Sequence, residues 1–235
     1  MVDKRTSILQ SVELREQSIL KNVYMWMTLG LTATAVVAYA VASSPALMSL
    51  FLGSTFGFMF IIIAQFGLVI YLSSRLQHMS STSAIVAFIG YAILTGITFS
   101  SLFYVYSGQS ISQAFFTAAL LFAGMSLYGM TTKRALHSIG QYLIMGLWGV
   151  IVISIINMFI KSSALELGIS FLGVILFLGL TAWDTQKIKQ LNDSYGSEMD
   201  EHTYIKLSIM GALMLYLDLI NIFLYLLRIF GRQRD

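Results

Sequence analysis

Cysteine is absent from the 235 residues. That excludes a disulfide framework, a thiolate nucleophile and a cysteine metal site, and it leaves the redox compartment undefined. Charge is scarce too, because Asp, Glu, Lys and Arg make up only 11% of the chain, against about a quarter in an ordinary soluble domain. The opening stretch MVDKRTSILQSVELREQSILKN has no continuous apolar run, so a cleavable signal peptide is not expected. No His-Glu-x-x-His, nucleophile elbow or phosphate-cradling glycine loop occurs, and the reading is a protein that is not an enzyme. His78, His137 and His202 fall in loops or at span edges and are read as solvated. The lack of a convincing internal repeat argues against an inverted-repeat transporter.

What the chain has is apolar surface: 57% of its residues are hydrophobic and its mean hydropathy is +0.79. About 20 apolar residues cross a hydrocarbon core about 30 Å thick. Seven runs qualify: Val23 to Val41, Leu50 to Ser73, Ser83 to Tyr104, Ile111 to Met130, Gln141 to Ile160, Leu167 to Trp183 and Ile205 to Phe230. They are too long, and alternate too little, for barrel strands. Every backbone amide must be satisfied inside lipid, so the expected fold is an all-α integral membrane protein, a bundle of seven transmembrane helices. Breaks such as SSPA and YSGQS hold only turns, and the one longer connection is KIKQLNDSYGSEMDEHT. The domain reading is an N-terminal cytoplasmic segment over 1–21, a seven-helix membrane domain over 22–231 and a tail over 232–235. Ile8, Val12, Ile19 and Val23 have the spacing of a short amphipathic helix at the interface. Gly53 and Gly57 form a GxxxG pair, read as close helix packing.

Loop cations set the orientation. Lys4, Arg5, Arg15 and Lys21 precede the first run, Arg75 follows the second, Lys133 and Arg134 follow the fourth, and Lys187, Lys189 and Lys206 flank the long connection. Lys161 is the only loop cation on the other side, so the N-terminus is expected in the cytoplasm. Seven full crossings then place Arg228, Arg232 and Arg234 outside. Either the last run breaks the positive-inside rule or it re-enters and returns; its length favours seven crossings.

Two acids stand out against this background. Asp218, in ALMLYLDLINIFLYLLRIF, is 12 residues from Lys206 and 10 from Arg228, which puts it about 15 to 18 Å from either point at 1.5 Å per residue. An acid at that depth costs about 2.5 to 3.5 kcal/mol on insertion scales and by default marks a pathway or relay. Asp184, in LTAWDTQKIK, sits at the edge of the sixth run and alone would pass for an interfacial residue. The connecting segment returns the chain to the same side, so the two carboxylates can approach each other. Two carboxylates in one dry site share a proton or bind a cation and titrate as a pair. They fall short of the roughly six to eight oxygens of a tight calcium site, which leaves weak calcium contact at Asp184 and Asp218. Arg75 is the candidate cation for the pair.

LGLTAWDTQKIK followed by GALMLYLDLINIFLYLLRIFG resembles the paired signature of the Bax inhibitor-1-like family, also called the transmembrane Bax inhibitor motif family. LTGITFSSLFYVY and MSLYGMTTKRAL are similar to its bacterial members, and the likeness runs from the first helix to Gly231. The resemblance implies a seven-helix, pH-sensitive calcium leak in which Asp184 and Asp218 form the sensor and gate. In some members an arginine on the second helix latches this dyad, a place that Arg75 is expected to take. Calcium is then the permeant ion, with no tightly bound cofactor. Together with the short loops, the likeness points to a bacterial inner membrane.

A second reading, from family links to cell death and proteolytic quality control, is a non-conducting regulator that docks a membrane protein such as a protease. Nucleic acid is not an expected partner. An intramembrane aspartyl protease fits poorly, because Trp183-Asp184 and Leu217-Asp218 lack the Tyr-Asp and Gly-x-Gly-Asp contexts of such enzymes.

Overall fold

Helix N-caps partition the apolar runs. In the computed structural model Ser44, Ser54, Ser80 and Ser107 each accept a hydrogen bond from the backbone N–H three residues on, starting four of the helices. The helices are α1 (Val2–Ala42), α2 (Pro45–Leu52), α3 (Thr55–Arg75), α4 (Ser81–Phe99), α5 (Leu102–Val105), α6 (Gly108–Thr131), α7 (His137–Ile160), α8 (Ser163–Tyr195) and α9 (Glu201–Phe230), with a 3-10 turn at Leu76–His78. The structure describes the backbone of residues 2–195 and 200–232, and the side chains of 19–76, 78–191 and 200–232. Among the described residues there is no strand, and seven helical segments are long and apolar enough to cross a membrane. The fold is an all-α membrane bundle. Large side chains such as Phe56, Phe116 and Trp148 are exposed on these helices, as expected where hydrocarbon replaces water as the solvent.

Three boundaries differ from the sequence reading. The second span starts at Thr55, because Pro45–Leu52 forms its own short helix after Pro45 occupies the first turn. Gly53 and Gly57 therefore do not share a helix face: Gly53 ends α2 and Gly57 lies in the first turn of α3, and a Cβ on either meets that helix's own turn. The first span is continuous with the segment before it, since nothing between Val2 and Ala42 breaks the helix. Of the amphipathic set, Ile19 and Val23 are buried; the side chains of Ile8 and Val12, like those of Lys4, Arg5, Arg15 and Arg234, lie outside the described residues. Finally, α8 runs 12 residues past Trp183 to Tyr195. Apolarity ends there but helix formers continue, with no glycine or proline before Gly196. The last span, α9, is one unbroken helix of 30 residues, so it contains no turn by which it re-enters.

The chain divides into two compact units, one of Met1–Tyr104 with Ile188–Leu213 and one of Val105–Lys187 with Met214–Asp235. In the first, α1 packs closely on α4. Thr34 Oγ1 shares its hydrogen between Gly30 O at 3.0 Å and Ala92 O at 2.9 Å, and a Cβ on Gly96 would strike Thr34 O at 2.7 Å. Gln65 of α3 joins α4 by donating to Thr95 at 3.1 Å and accepting from Thr98 at 3.0 Å. His202 is more than solvated: its Nδ1 lies 3.1 Å from Ser81 Oγ. Asn22 hydrogen-bonds Tyr204 in the same unit.

The second unit is built around α8. A Cβ on Gly129 of α6 would collide with the Ala182 backbone, and one on Gly140 of α7 with the Trp183 ring, so both glycines permit close approach to α8. Val150, Ile169 and Leu176 form a cluster joined by Tyr225 of α9. Gln186 Oε1 accepts from Leu136 N–H at 2.8 Å while its Nε2 donates to Arg134 O at 2.9 Å. One buried amide thereby ties the α6–α7 turn to α8.

Candidate functional site

The close packing just described determines where the two acids end up. Asp184 follows Trp183 directly and lies one turn beyond Leu180 and Thr181, in the stretch of α8 held by Gly129 and Gly140. The helical segment that carries it, long and apolar enough to cross a membrane, continues to Leu191. Asp218 lies in the stretch of α9 where Leu215, Tyr216, Leu219 and Ile222 are all buried, and is itself only 4% exposed.

Both residues belong to the second unit, and the structure brings them together: the charge of Asp184 acts on Asp218. Thr181, one turn before Asp184, is within hydrogen-bonding reach of Asp218. The other carboxylate oxygen, Oδ2, is buried with no hydrogen-bond partner. An orphaned buried oxygen costs about 1–3 kcal/mol, more if charged, so it calls for a physical explanation. Asp184 is half-buried and has Lys187 one turn on, whose charge offsets its own. The Lys187 ammonium also sits 5.3 Å from the centre of the Trp183 ring.

Buried hydroxyls lie in the same stretch of α8 and beside it on α6. Thr181 Oγ1 donates to Phe177 O at 2.8 Å, Thr185 Oγ1 donates to Thr181 O at 2.7 Å, and Ser126 Oγ lies 3.0 Å from Thr185 Oγ1. Either hydroxyl can donate in that last contact. Arg75, the other residue singled out from sequence, is the exposed last residue of α3 in the first unit.

Thr181 and Lys187 were not singled out from sequence. Lys187 carried a usable signal, its i, i+3 spacing from Asp184 on one helix; Thr181 carried none, since a threonine in a span ordinarily bonds its own helix. Among the described residues no three His, Cys, Asp or Glu side chains gather as a metal site. The acid pair has the chemistry of hard oxygen donors but too few of them for tight calcium binding.

An all-helical bundle with two interacting carboxylates inside its spans defines a polytopic membrane protein with an ionisable core. A family profile described as "Inhibitor of apoptosis-promoting Bax1" matches residues 16–235. The chain belongs to this family, the Bax inhibitor-1 family. It is 46% identical over 218 residues to the inner membrane protein YbhL of Escherichia coli K12, covering 93% of each chain. It is 42% identical over 219 residues to the protein RP147 of Rickettsia prowazekii, covering 91% of this chain and 89% of that one. A Deinococcus radiodurans protein is 41% identical over 235 residues.

Proposed function

We propose that the protein is a pH-sensitive calcium leak in a bacterial inner membrane, with Asp184 and Asp218 as sensor and gate. The observation that carries this reading is the juxtaposition of the two acids on α8 and α9, with Asp218 Oδ2 buried and unpartnered. With one shared proton the carboxylates hold the two helices together. Loss of that proton leaves two like charges in a poorly solvated site, and their repulsion drives the helices apart.

Thr181 follows the proton. Its hydroxyl has one hydrogen, which goes to Phe177 O when Asp218 is protonated and to Asp218 when it is ionised. A passing calcium ion exchanges for the shared proton and makes only weak contact, which suits transit better than storage. The N-terminus is assigned to the cytoplasm from the loop cations. Lys187 is the cation within reach of Asp184, and Arg75 remains a candidate latch.

The test is calcium entry into liposomes loaded with a calcium-sensitive dye, over a pH series, for wild type, Asp184→Asn, Asp218→Asn and Arg75→Gln. The expected result is a pH-dependent flux that both aspartate substitutions flatten; unchanged flux in Asp218→Asn sinks the gate. The family's description as an inhibitor of apoptosis-promoting Bax1 favours a second reading, a regulator docking a membrane protein partner. Wild-type flux no higher than in empty liposomes would transfer the function to that reading.

A further inference from the structure

The second unit holds a polar cavity where α7 and α9 end and α8 begins, away from the acid pair in sequence and in chemistry. It has a volume of about 460 Å³ and is lined by Ser154, Asn157, Lys161, Ser163, Glu166 and Arg228, with Met158 and Ile169 on its apolar side. That volume falls within the range of small-ligand sites, about 300–1,000 Å³.

Its walls are set by a rigid turn. Lys161 closes α7 in the left-handed region, with φ at 55°, and its N–H bonds Asn157 O at 2.7 Å. Asn157 Oδ1 accepts from Ser162 N–H at 3.0 Å, which leaves its amide N–H groups as donors toward the cavity. Arg228 lies over the Tyr225 ring, 5.6 Å from its centre. That contact occupies a face of the guanidinium and leaves its N–H edge free to hydrogen-bond.

Charge decides the occupant. The lining carries two cations, Lys161 and Arg228, and one acid, Glu166, and among the described residues no ion pair joins them. A simple anion satisfies the cations but meets Glu166 as a like charge; a simple cation has the opposite problem. A zwitterion with a phosphate at one end and a primary ammonium at the other matches all three. A quaternary ammonium has no N–H for Glu166 and seeks an aromatic face instead, and Arg228 already covers Tyr225. Met158 lines the cavity and is exposed, as are Ile155, Phe159 and Ile160 in the same last turns of α7, apolar surface on which acyl chains can lie.

We propose that this cavity binds the phosphoethanolamine group of a membrane phospholipid, with Lys161 and Arg228 on the phosphate and Glu166 on the ammonium. The phosphate's charge-assisted hydrogen bonds to Arg228 and Lys161 hold the lipid. Glu166, itself exposed, selects the headgroup by pairing with a primary ammonium, which phosphatidylglycerol and phosphatidylcholine lack.

The experiment is native mass spectrometry of the purified full chain in detergent, titrated with phosphatidylethanolamine, phosphatidylcholine or phosphatidylglycerol. Wild type is expected to retain phosphatidylethanolamine at a concentration about tenfold lower than either of the others. Glu166→Gln should erase that preference by improving phosphatidylglycerol binding, whereas Arg228→Gln and Lys161→Asn should weaken all three lipids. Asparagine is chosen at 161 because it tolerates the left-handed turn, and unchanged thermal midpoints confirm that the variants are folded. Equal retention of the three lipids, or a preference untouched by Glu166→Gln, overturns the assignment. Soluble glycerophosphoethanolamine separates the two sources of the group. If it displaces the lipid at equal concentration, the site recognises a free phosphodiester and the lipid assignment falls; if displacement needs a large excess, the acyl chains contribute and the assignment stands.

Discussion

The charge of Asp184 on α8 reaches Asp218 on α9, and Asp218 Oδ2 has no hydrogen-bond partner. Two acids so placed oppose folding wherever both are ionised. Gly129 and Gly140 let α6 and α7 pack closely on α8 beside Asp184, and Asp218 sits in a buried stretch of α9.

Removing one charge should therefore stabilise the protein. Asp218→Asn is expected to raise the thermal midpoint at pH 8 by an amount worth on the order of 1 kcal/mol, with a smaller gain at pH 5 if the pair shares a proton there as proposed. Differential scanning fluorimetry in detergent reads both values. A lower midpoint at pH 8 would mean that the carboxylate makes net stabilising contacts.

Gly129 and Gly124 lie on the same helix and should respond oppositely to alanine. At Gly129 a Cβ meets the Ala182 backbone, which cannot rotate away, so Gly129→Ala should cost about 1–3 kcal/mol. At Gly124 nothing lies within 4 Å, and the helix-propensity gain of about 0.5–1 kcal/mol should appear unopposed. The two midpoints, measured side by side, check the α6–α8 contact.

Gln186 supplies one acceptor and one donor to the α6–α7 turn. Gln186→Leu leaves Leu136 N–H and Arg134 O unpaired, an expected loss of about 1–3 kcal/mol for each group that stays buried. Gln186→Glu should lose less, because it still accepts from Leu136. Hydrogen exchange across residues 132–136 distinguishes the variants, and unaltered protection in Gln186→Leu would count against the clamp.

Asp200 gives a pH dependence outside the spans. The Thr203 side chain hydrogen-bonds its carboxylate, the Thr203 backbone adds a second bond, and His202 contributes attraction, which together hold its pKa below the usual carboxylate value. A depressed folded pKa stabilises above the unfolded value and is lost as pH falls through the folded one. Protection of the first turn of α9 should therefore hold from pH 7 to 5 and fall below roughly pH 4. Asp200→Ala should remove that acid-dependent step in hydrogen exchange.

By itself the sequence determined the solvent and the class of fold. A chain with 57% hydrophobic residues and seven apolar runs has few ways to satisfy its backbone in lipid other than as helices, and the paired motifs around Asp184 and Asp218 identified the family. Only the structure showed that the helix carrying Asp184 runs on well past it. Hydropathy falls after Trp183, yet the helix continues to Tyr195 because helix geometry depends on backbone propensity and not on apolarity. Tertiary packing also selected the companions of the acids, Thr181 and Lys187, and gathered Lys161, Glu166 and Arg228 around one cavity from the ends of three helices. Local sequence carries the period of a helix, but which faces of separate helices meet depends on side-chain contacts across the bundle, and those exist only once the helices have packed.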